Sequence, residues 1–209
     1  EYEGEYLYNK KWNGKGYDKN GNIIYELING TGKVKEFIGS ELRFEGEYLN
    51  GKRHGEGKEY NNGKLRYEGE YSNGKRNGKG KEYNNDGKLL YEGEYLDEKK
   101  HGKGKEYKVD DNNSELIFEG EYLNGKIWNG KGKEYDNNNK LIFEGDYLNG
   151  KIWNGKVKKY NNNDKLIFEC EYLNGEKNGK VKEYAHDGKL MFEGKYLNGV
   201  KMRSEEHTS

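Results

Sequence analysis

An all-β chain, an elongated open antiparallel β-meander of repeated hairpins, is the fold this sequence predicts, and three observations carry that expectation. The segment Phe44-Glu-Gly-Glu-Tyr-Leu-Asn-Gly51 recurs from Tyr67, Tyr91, Phe118, Phe143, Phe168 and Phe192, with a first copy at Tyr2 and a degenerate one near Tyr25. That makes about nine units spaced by roughly 19 to 27 residues. Within each copy aromatic residues and glycine alternate at every second position, and Asn-Gly or Asn- and Asp-rich segments punctuate the copies as turns do.

The first strand of a unit places Leu89, Tyr91, Gly93 and Tyr95 on one face and Leu90, Glu92, Glu94 and Leu96 on the other. A glycine in mid-strand leaves a hollow that an aromatic ring can cover, so Gly46, Gly69, Gly93, Gly120 and Gly145 are expected to lie under rings as a thin apolar layer. The second strand is read from Gly78-Lys-Gly-Lys-Glu-Tyr83 and Gly130-Lys-Gly-Lys-Glu-Tyr135. Lys79 and Lys81 then fall beside glutamates of neighbouring strands, in cross-strand pairs that contribute roughly 0.2–1 kcal/mol each.

Asn50-Gly51 and its counterparts suggest two-residue type I′ turns. The spacing complicates this: Tyr48 to Gly55 is seven positions, whereas Tyr6 to Gly14, Tyr122 to Gly130 and Tyr147 to Gly155 are eight. An extra residue inside a ladder turns later side chains to the wrong face unless a bulge absorbs it, so the insertion is expected in a lengthened loop holding Trp12, Trp128 and Trp153. Asn84-Asn-Asp-Gly-Lys88 and Asp136-Asn-Asn-Asn-Lys140 supply return turns between units.

Bulk properties set the outer limits. Of 209 residues, 30% are hydrophobic and 36% charged, with a mean hydropathy of −1.39, which excludes a thick globular core. Such a composition usually stays disordered, because ordering costs roughly 1–2 kcal/mol per residue. The 20 Tyr, 6 Phe and 3 Trp at fixed positions argue otherwise. Zero net charge removes any global attraction to nucleic acid. Cys170 is the single cysteine, so no internal disulfide forms and a reducing, cytoplasmic compartment is expected. No apolar run approaches the roughly 20 residues that span a bilayer. The chain starts at Glu1, which suggests a truncated N-terminus whose signal peptide, had there been one, would be lost with it. Residues 1–201 form the expected array. Residues 202–209 are expected to be a non-native tail, because Arg203-Ser-Glu-Glu-His-Thr-Ser209 resembles the translation of a sequencing-adapter oligonucleotide.

The pattern Tyr/Phe-Glu-Gly-Glu-Tyr-x-Asn-Gly-Lys-x-x-Gly-x-Gly resembles the MORN (membrane occupation and recognition nexus) repeat, including the variant form found in bacteria, from Tyr2 to about Gly199. The resemblance implies an open antiparallel meander and roles in scaffolding, homotypic association, membrane-proximal placement or regulation of attached domains. This chain departs from the pattern at the Tyr25 unit, at Asp97-Glu98 in place of Asn-Gly, and at Cys170 in place of the strand glycine.

Catalytic and cofactor readings find little. His54, His101, His186 and His207 lack the spacing of a metal or nucleophile constellation. The pair Glu92 and Glu94 recurs in nearly every unit, as a charged sheet face does and a glycosidase site does not. Gly78-Lys-Gly lacks the rest of a phosphate loop. No enzyme activity, cofactor, metal, nucleic acid or small-molecule substrate is therefore expected. The hairpin tips are more informative: Lys10 and Lys11, Lys52 and Arg53, Lys75 and Arg76, Lys99 and Lys100 put basic pairs in the same place, either as ordinary solubilising loops or as a basic edge for an anionic surface. Three neighbouring tips would contribute at most about 6 kcal/mol at an acidic bilayer. Trp12, Trp128 and Trp153 are either partner anchors or residues folded back over the hairpin end. The expected function is a non-catalytic scaffold for protein-protein interaction, self-association or spacing. The alternatives are peripheral binding to anionic phospholipid and a regulatory part of a larger enzyme such as a lipid kinase or methyltransferase.

Overall fold

The computed structural model describes residues 1–110 and 113–203. Residues 204–209, which hold His207 and most of the expected non-native tail, lie outside the described residues. Of that tail, Met202 and Arg203 end the last strand, where Met202 pairs with Lys195. Among the described residues there is no helix and there are eighteen strands. Among these residues no helix is long and apolar enough to cross a membrane.

Strands β1 (Tyr2–Leu7), β2 (Lys10–Tyr17) and β3 (Ile23–Leu27) form one antiparallel sheet. Fifteen strands, from β4 (Gly32–Ile38) to β18 (Val200–Arg203), follow in chain order in a second antiparallel sheet that does not close. The predicted open meander of consecutive hairpins is therefore present. Chain packing divides it into two compact units: Glu1–Leu116 with Leu123–Gly125, and Ile117–Tyr122 with the chain from Lys126 onward.

In the first unit, β7 (Lys64–Ser72) and β8 (Lys75–Tyr83) show how each hairpin is built. Tyr67 pairs with Glu82, Gly69 with Gly80 and Tyr71 with Arg76, so rings, glycines and the arginine share one face. A Cβ placed on Gly80 would lie 2.6 Å from the Tyr67 ring, closer than any real side chain approaches. The ring thus occupies the hollow that the two glycines leave. Tyr67 is 0% exposed, as are Phe44 and Tyr91. The rings also link successive hairpins: Phe44 meets Tyr71 edge-on at 5.3 Å, and Tyr67 meets Tyr95 at 5.4 Å. Such pairs contribute about 0.5–1.5 kcal/mol beyond the area they bury.

The second unit repeats the scheme with Phe118 and Phe143 buried, the latter edge-on to Tyr147 at 5.0 Å. It also contains the exception that explains the rule. Cys170 pairs with Val157 on one side and Val181 on the other, three side chains where β7 and β8 carry Gly69 and Gly80. Cys170 and Val181 fill the hollow themselves and are buried, and Phe168 is left only half-buried. Burial raises the Cys170 thiol pKa, so this is a packed small residue and not an activated nucleophile.

The opposite face carries the expected charge ladder. In the first unit Glu45 pairs across strands with Lys35 and Lys58, and Lys58 in turn with Glu68. The ion pairs Lys35–Glu45 and Lys58–Glu68 are 3.8 Å long and largely solvated, worth at most about 1 kcal/mol each. Tyr60 and Tyr83 donate hydroxyl hydrogen bonds of 2.6 Å to Glu45 and Glu68. Burial, and then those carboxylates, push both hydroxyls up to about 12.

The lengthened loop expected from the eight-residue spacing does not exist. Asn73 and Asn149, with φ of 53° and 51°, sit beside Gly74 and Gly150 in the same two-residue left-handed turn, whose twist suits the strands it joins. The extra residues lie in bulges. Between the pairs Gly69–Gly80 and Tyr71–Arg76, a single residue on β7 faces three on β8, Asn77, Gly78 and Lys79. In β13 (Leu141–Leu148) and β14 (Lys151–Tyr160), Asp146 pairs with Asn154 and Tyr147 with Ile152, leaving Trp153 as the one extra residue. The tryptophan hairpin therefore has a shorter bulge, not a longer loop. Its first glycine, Gly155, takes the place opposite Gly145 that the second glycine, Gly80, takes opposite Gly69. Trp12, Trp128 and Trp153 are accordingly strand residues, in β2, β12 (Lys126–Tyr135) and β14.

The departures from the repeat pattern behave differently from one another. Asp97-Glu98 keeps the left-handed turn, with φ of 49° and 72°, and Glu98 accepts a 2.7 Å hydrogen bond from the Arg76 amide of the preceding tip. At the Tyr25 unit the sheet is interrupted: β3 and β4 belong to different sheets, and the isolated bridge Ile28–Thr31 lies in the turn between them. Tyr25, Leu27 and Val34 close that gap as a small apolar cluster with Tyr2, Ile24 and Tyr48 packed against it.

Candidate functional site: the hairpin tips

Each tip is joined to the one before it by a backbone bond. In the first unit Gly74 donates its N–H to the carbonyl of Arg53 at 2.9 Å, and Gly125 to that of Lys100 at 2.8 Å. In the second, Gly175 donates to Trp153 at 2.8 Å and Gly199 to Lys177 at 2.9 Å. Side chains at the tips are thereby held in rows.

The two members of each basic pair lie on opposite faces. Neighbouring residues on a strand point to opposite faces, and the second member of each pair turns onto the aromatic face. The Arg53 guanidinium lies 4.1 Å from the Phe44 ring centre, Arg76 lies 4.2 Å from Tyr67, and the Lys100 ammonium lies 4.3 Å from Tyr91. Lys11 sits 5.0 Å over Tyr2 and donates to the Tyr25 hydroxyl at 2.9 Å. Carboxylates hold these cations in place. Arg53 bonds Glu36 at 2.9 Å and Glu59 at 3.1 Å. Arg76 bonds Glu59 and, at 3.0 Å, Glu82; Lys100 bonds Glu106 at 3.0 Å. Burial opposes ionisation of Glu36, yet the hydrogen bonds from Arg53 and Tyr48 outweigh it and hold the carboxyl below its usual range. Burial, and then the Glu59 carboxylate, raise the Tyr71 hydroxyl.

The first members remain on the outward face. Lys10 pairs across its hairpin with Leu7, Lys52 with Leu49, Lys75 with Ser72 and Lys99 with Leu96. Lys75 makes a 3.2 Å ion pair with Asp97, itself 70% exposed. Leu49 and Leu96 are 40% and 46% exposed. The outward tips of the first unit are thus rows of leucine beside lysine. In the second unit Leu148 faces Lys151, but Leu173 faces Glu176 and Leu197 faces Val200, so the basic character fades while the exposed leucines persist. These leucines were absent from the sequence-based site, although their fixed place just before Asn-Gly or its substitute was visible.

The tryptophans fold back. A Cβ on Gly175 would sit 3.5 Å from the Trp153 ring, and one on Gly150 would sit 3.6 Å from Trp128, so each half-buried indole lies against the turn of the next hairpin. Trp12 stands in the same relation to Gly30. The asparagine that follows each tryptophan completes the arrangement: Asn13 and Asn129 donate to Glu5 and Glu121 at 2.9 Å, and Asn129 and Asn154 accept the turn amides of Asn149 and Asn174 at 2.9 Å.

The remaining polar candidates are dispersed. His54 and His101 are half-buried in bulges and His186 is exposed on a return turn. Glu92 accepts the Tyr107 hydroxyl at 2.9 Å, while the Glu94 carboxylate lies over the bulge glycine Gly102. Among the described residues no group of three or more His, Cys, Asp or Glu is placed to hold a metal ion.

Two family models match the chain. The MORN repeat matches residues 44–64, 67–88 and 91–112, and the MORN repeat variant matches residues 128–149, 153–174 and 177–198. No curated protein matches it.

Proposed function

Because the chain belongs to the MORN repeat family, whose repeats are generally protein- or membrane-interaction scaffolds, we propose that it is a non-catalytic scaffold that binds a protein partner, or a second copy of itself, along the outward edge of its hairpin tips. One observation carries this reading: at each of the four first-unit tips that carry a basic pair, one cation is folded onto the aromatic face and the other stays outward, beside an exposed leucine in three of the four. The aromatic face offers less as a contact surface, because Phe44, Tyr67, Tyr71, Tyr91 and Tyr95 are already covered by their own chain. The tips combine apolar area with positive charge, a pairing suited to an acidic, amphipathic surface.

An anionic membrane is the second reading, favoured by the same leucine and lysine rows; it would place the protein in the cytoplasm, peripheral to a bilayer. Only the outward lysines contribute to it. The attraction from three neighbouring tips then falls from about 6 to about 3 kcal/mol, or roughly a hundredfold in binding, and is salt-sensitive.

Replacing Lys52, Lys75 and Lys99 together by glutamate tests both. The variant is expected to keep its unfolding midpoint and to lose concentration-dependent association in sedimentation, or retention by the partner. Loss of flotation with acidic vesicles alone supports the membrane reading. Unchanged behaviour in all three assays overturns the tip edge as the contact surface.

A further inference from the structure

We propose that Asn62 is a site of spontaneous deamidation, and that the stacked hairpin tips protect the other turn Asn-Gly pairs from the same reaction. In this reaction the backbone nitrogen of the following glycine attacks the asparagine Cγ. A new C–N bond closes a succinimide ring, the nitrogen's proton passes to base, and the side-chain nitrogen leaves as ammonia. Water then opens the ring at either carbonyl, giving aspartate or isoaspartate. Glycine favours the attack because no side chain shields its nitrogen. An N–H already held by an acceptor must first be released.

Asn-Gly turns are abundant here and nearly all have that nitrogen engaged. In the first unit the amides of Gly51, Gly74 and Gly125 donate to carbonyls of the preceding tip at 2.8–2.9 Å, and in the second unit Gly150, Gly175 and Gly199 do the same at 2.8–2.9 Å. Apart from half-buried Gly51 these glycines are exposed, as Gly63 is, so exposure does not distinguish them; the bond to the neighbouring hairpin does. On the return side the longer turns close on themselves: Gly21, after Asn20, donates to Asp18 at 3.2 Å, and in the Asp-Gly turns Gly87 donates to Asn84 at 3.1 Å and Gly188 to Ala185 at 2.8 Å.

The turn Asn62-Gly63 differs from both groups. It joins β6 (Lys52–Asn61) to β7 in two left-handed residues, with φ of 52° and 72°, beyond the last ladder pair Asn61–Lys64. It is too short to close on itself, and among the described residues no backbone bond joins it to a neighbouring turn. Among the described residues the Gly63 N–H has no acceptor and the Asn62 amide has no partner. A Cβ on Gly63 would meet nothing within 4 Å. Conversion adds a negative charge at this return edge, and the isoaspartate product lengthens the backbone of a two-residue turn by one atom.

Incubation of the full chain at mildly alkaline pH, followed by peptide mapping for replacement of NH2 by OH, tests this directly. Asn62 is expected to convert about three- to tenfold faster than Asn50, Asn73 or Asn124, the factor corresponding to the net worth of one amide hydrogen bond. In denaturant the rates are expected to converge, because all the amides are then solvated. Conversion of Asn62 no faster than the tips in the folded chain, including none at all, overturns the site. A ratio that persists in denaturant overturns the protection.

Discussion

Tyr67→Ala is expected to destabilise the first unit by about 3–5 kcal/mol, the range for removing a fully buried aromatic side chain. The ring is 0% exposed, meets Tyr71 and Tyr95 edge-on at 5.6 and 5.4 Å, and has the Arg76 guanidinium 4.2 Å above it. Beneath it lie Gly69 and Gly80, which have no side chains to move into the space. A single-layer sheet has no second layer from which to repack, so relief by collapse is small. Urea denaturation followed by tyrosine fluorescence reads the loss. Repeat arrays unfold in segments when one interface is weakened, so a new early transition is an equally clear signature.

Arg76→Ala is expected to cost about 2–3 kcal/mol, while Lys75→Ala, one residue away, is expected to stay within about 0.5 kcal/mol of the parent. The Arg76 side chain is only 20% exposed and neutralises Glu59 and Glu82 while covering Tyr67. Truncation leaves the half-buried Glu82 carboxylate without that cation and Glu59 with Arg53 alone. The full 3–5 kcal/mol of a broken buried pair is discounted because water reaches these groups in part. Lys75 is 54% exposed and its ion pair with Asp97 is to a largely solvated aspartate. Equal effects at the two positions, measured as shifts in the urea midpoint, would contradict the division of labour within each basic pair.

The fold was legible because two local signals agree with its long-range demands. Alternation of Tyr67, Gly69 and Tyr71 fixes which face is apolar, and Asn73-Gly74 fixes where the strand reverses. Ring over glycine followed from the same alternation. The bulges were not legible. Counting from tyrosine to the first glycine assumes that this glycine does the same job in every hairpin, whereas Gly155 faces Gly145 but Gly78 faces no glycine. Only the register reveals that.

The candidate site was half legible. Lys75 and Arg76 stand out as a basic pair, but adjacent strand residues must diverge, and Arg76 lies opposite Tyr71 on the apolar side. The strand rule applied to Tyr67 would have separated them. Fold-back of Trp153 onto Gly175 depends on the stacking of successive tips, a contact between units that no single copy of the repeat contains.

A double-mutant cycle between Tyr67 and Gly80 tests most directly whether rings filling glycine hollows hold this sheet together. Gly80 is not in a left-handed conformation, and valine occupies the matching place at Val181, so Gly80→Val introduces crowding without backbone strain. The single change is expected to cost about 1–3 kcal/mol where the ring is present and to lose most of that cost in a Tyr67→Ala background, a coupling of about 1 kcal/mol or more. Costs that add to within about 0.5 kcal/mol would mean that ring and glycine do not share one space, and the account of the fold would be wrong.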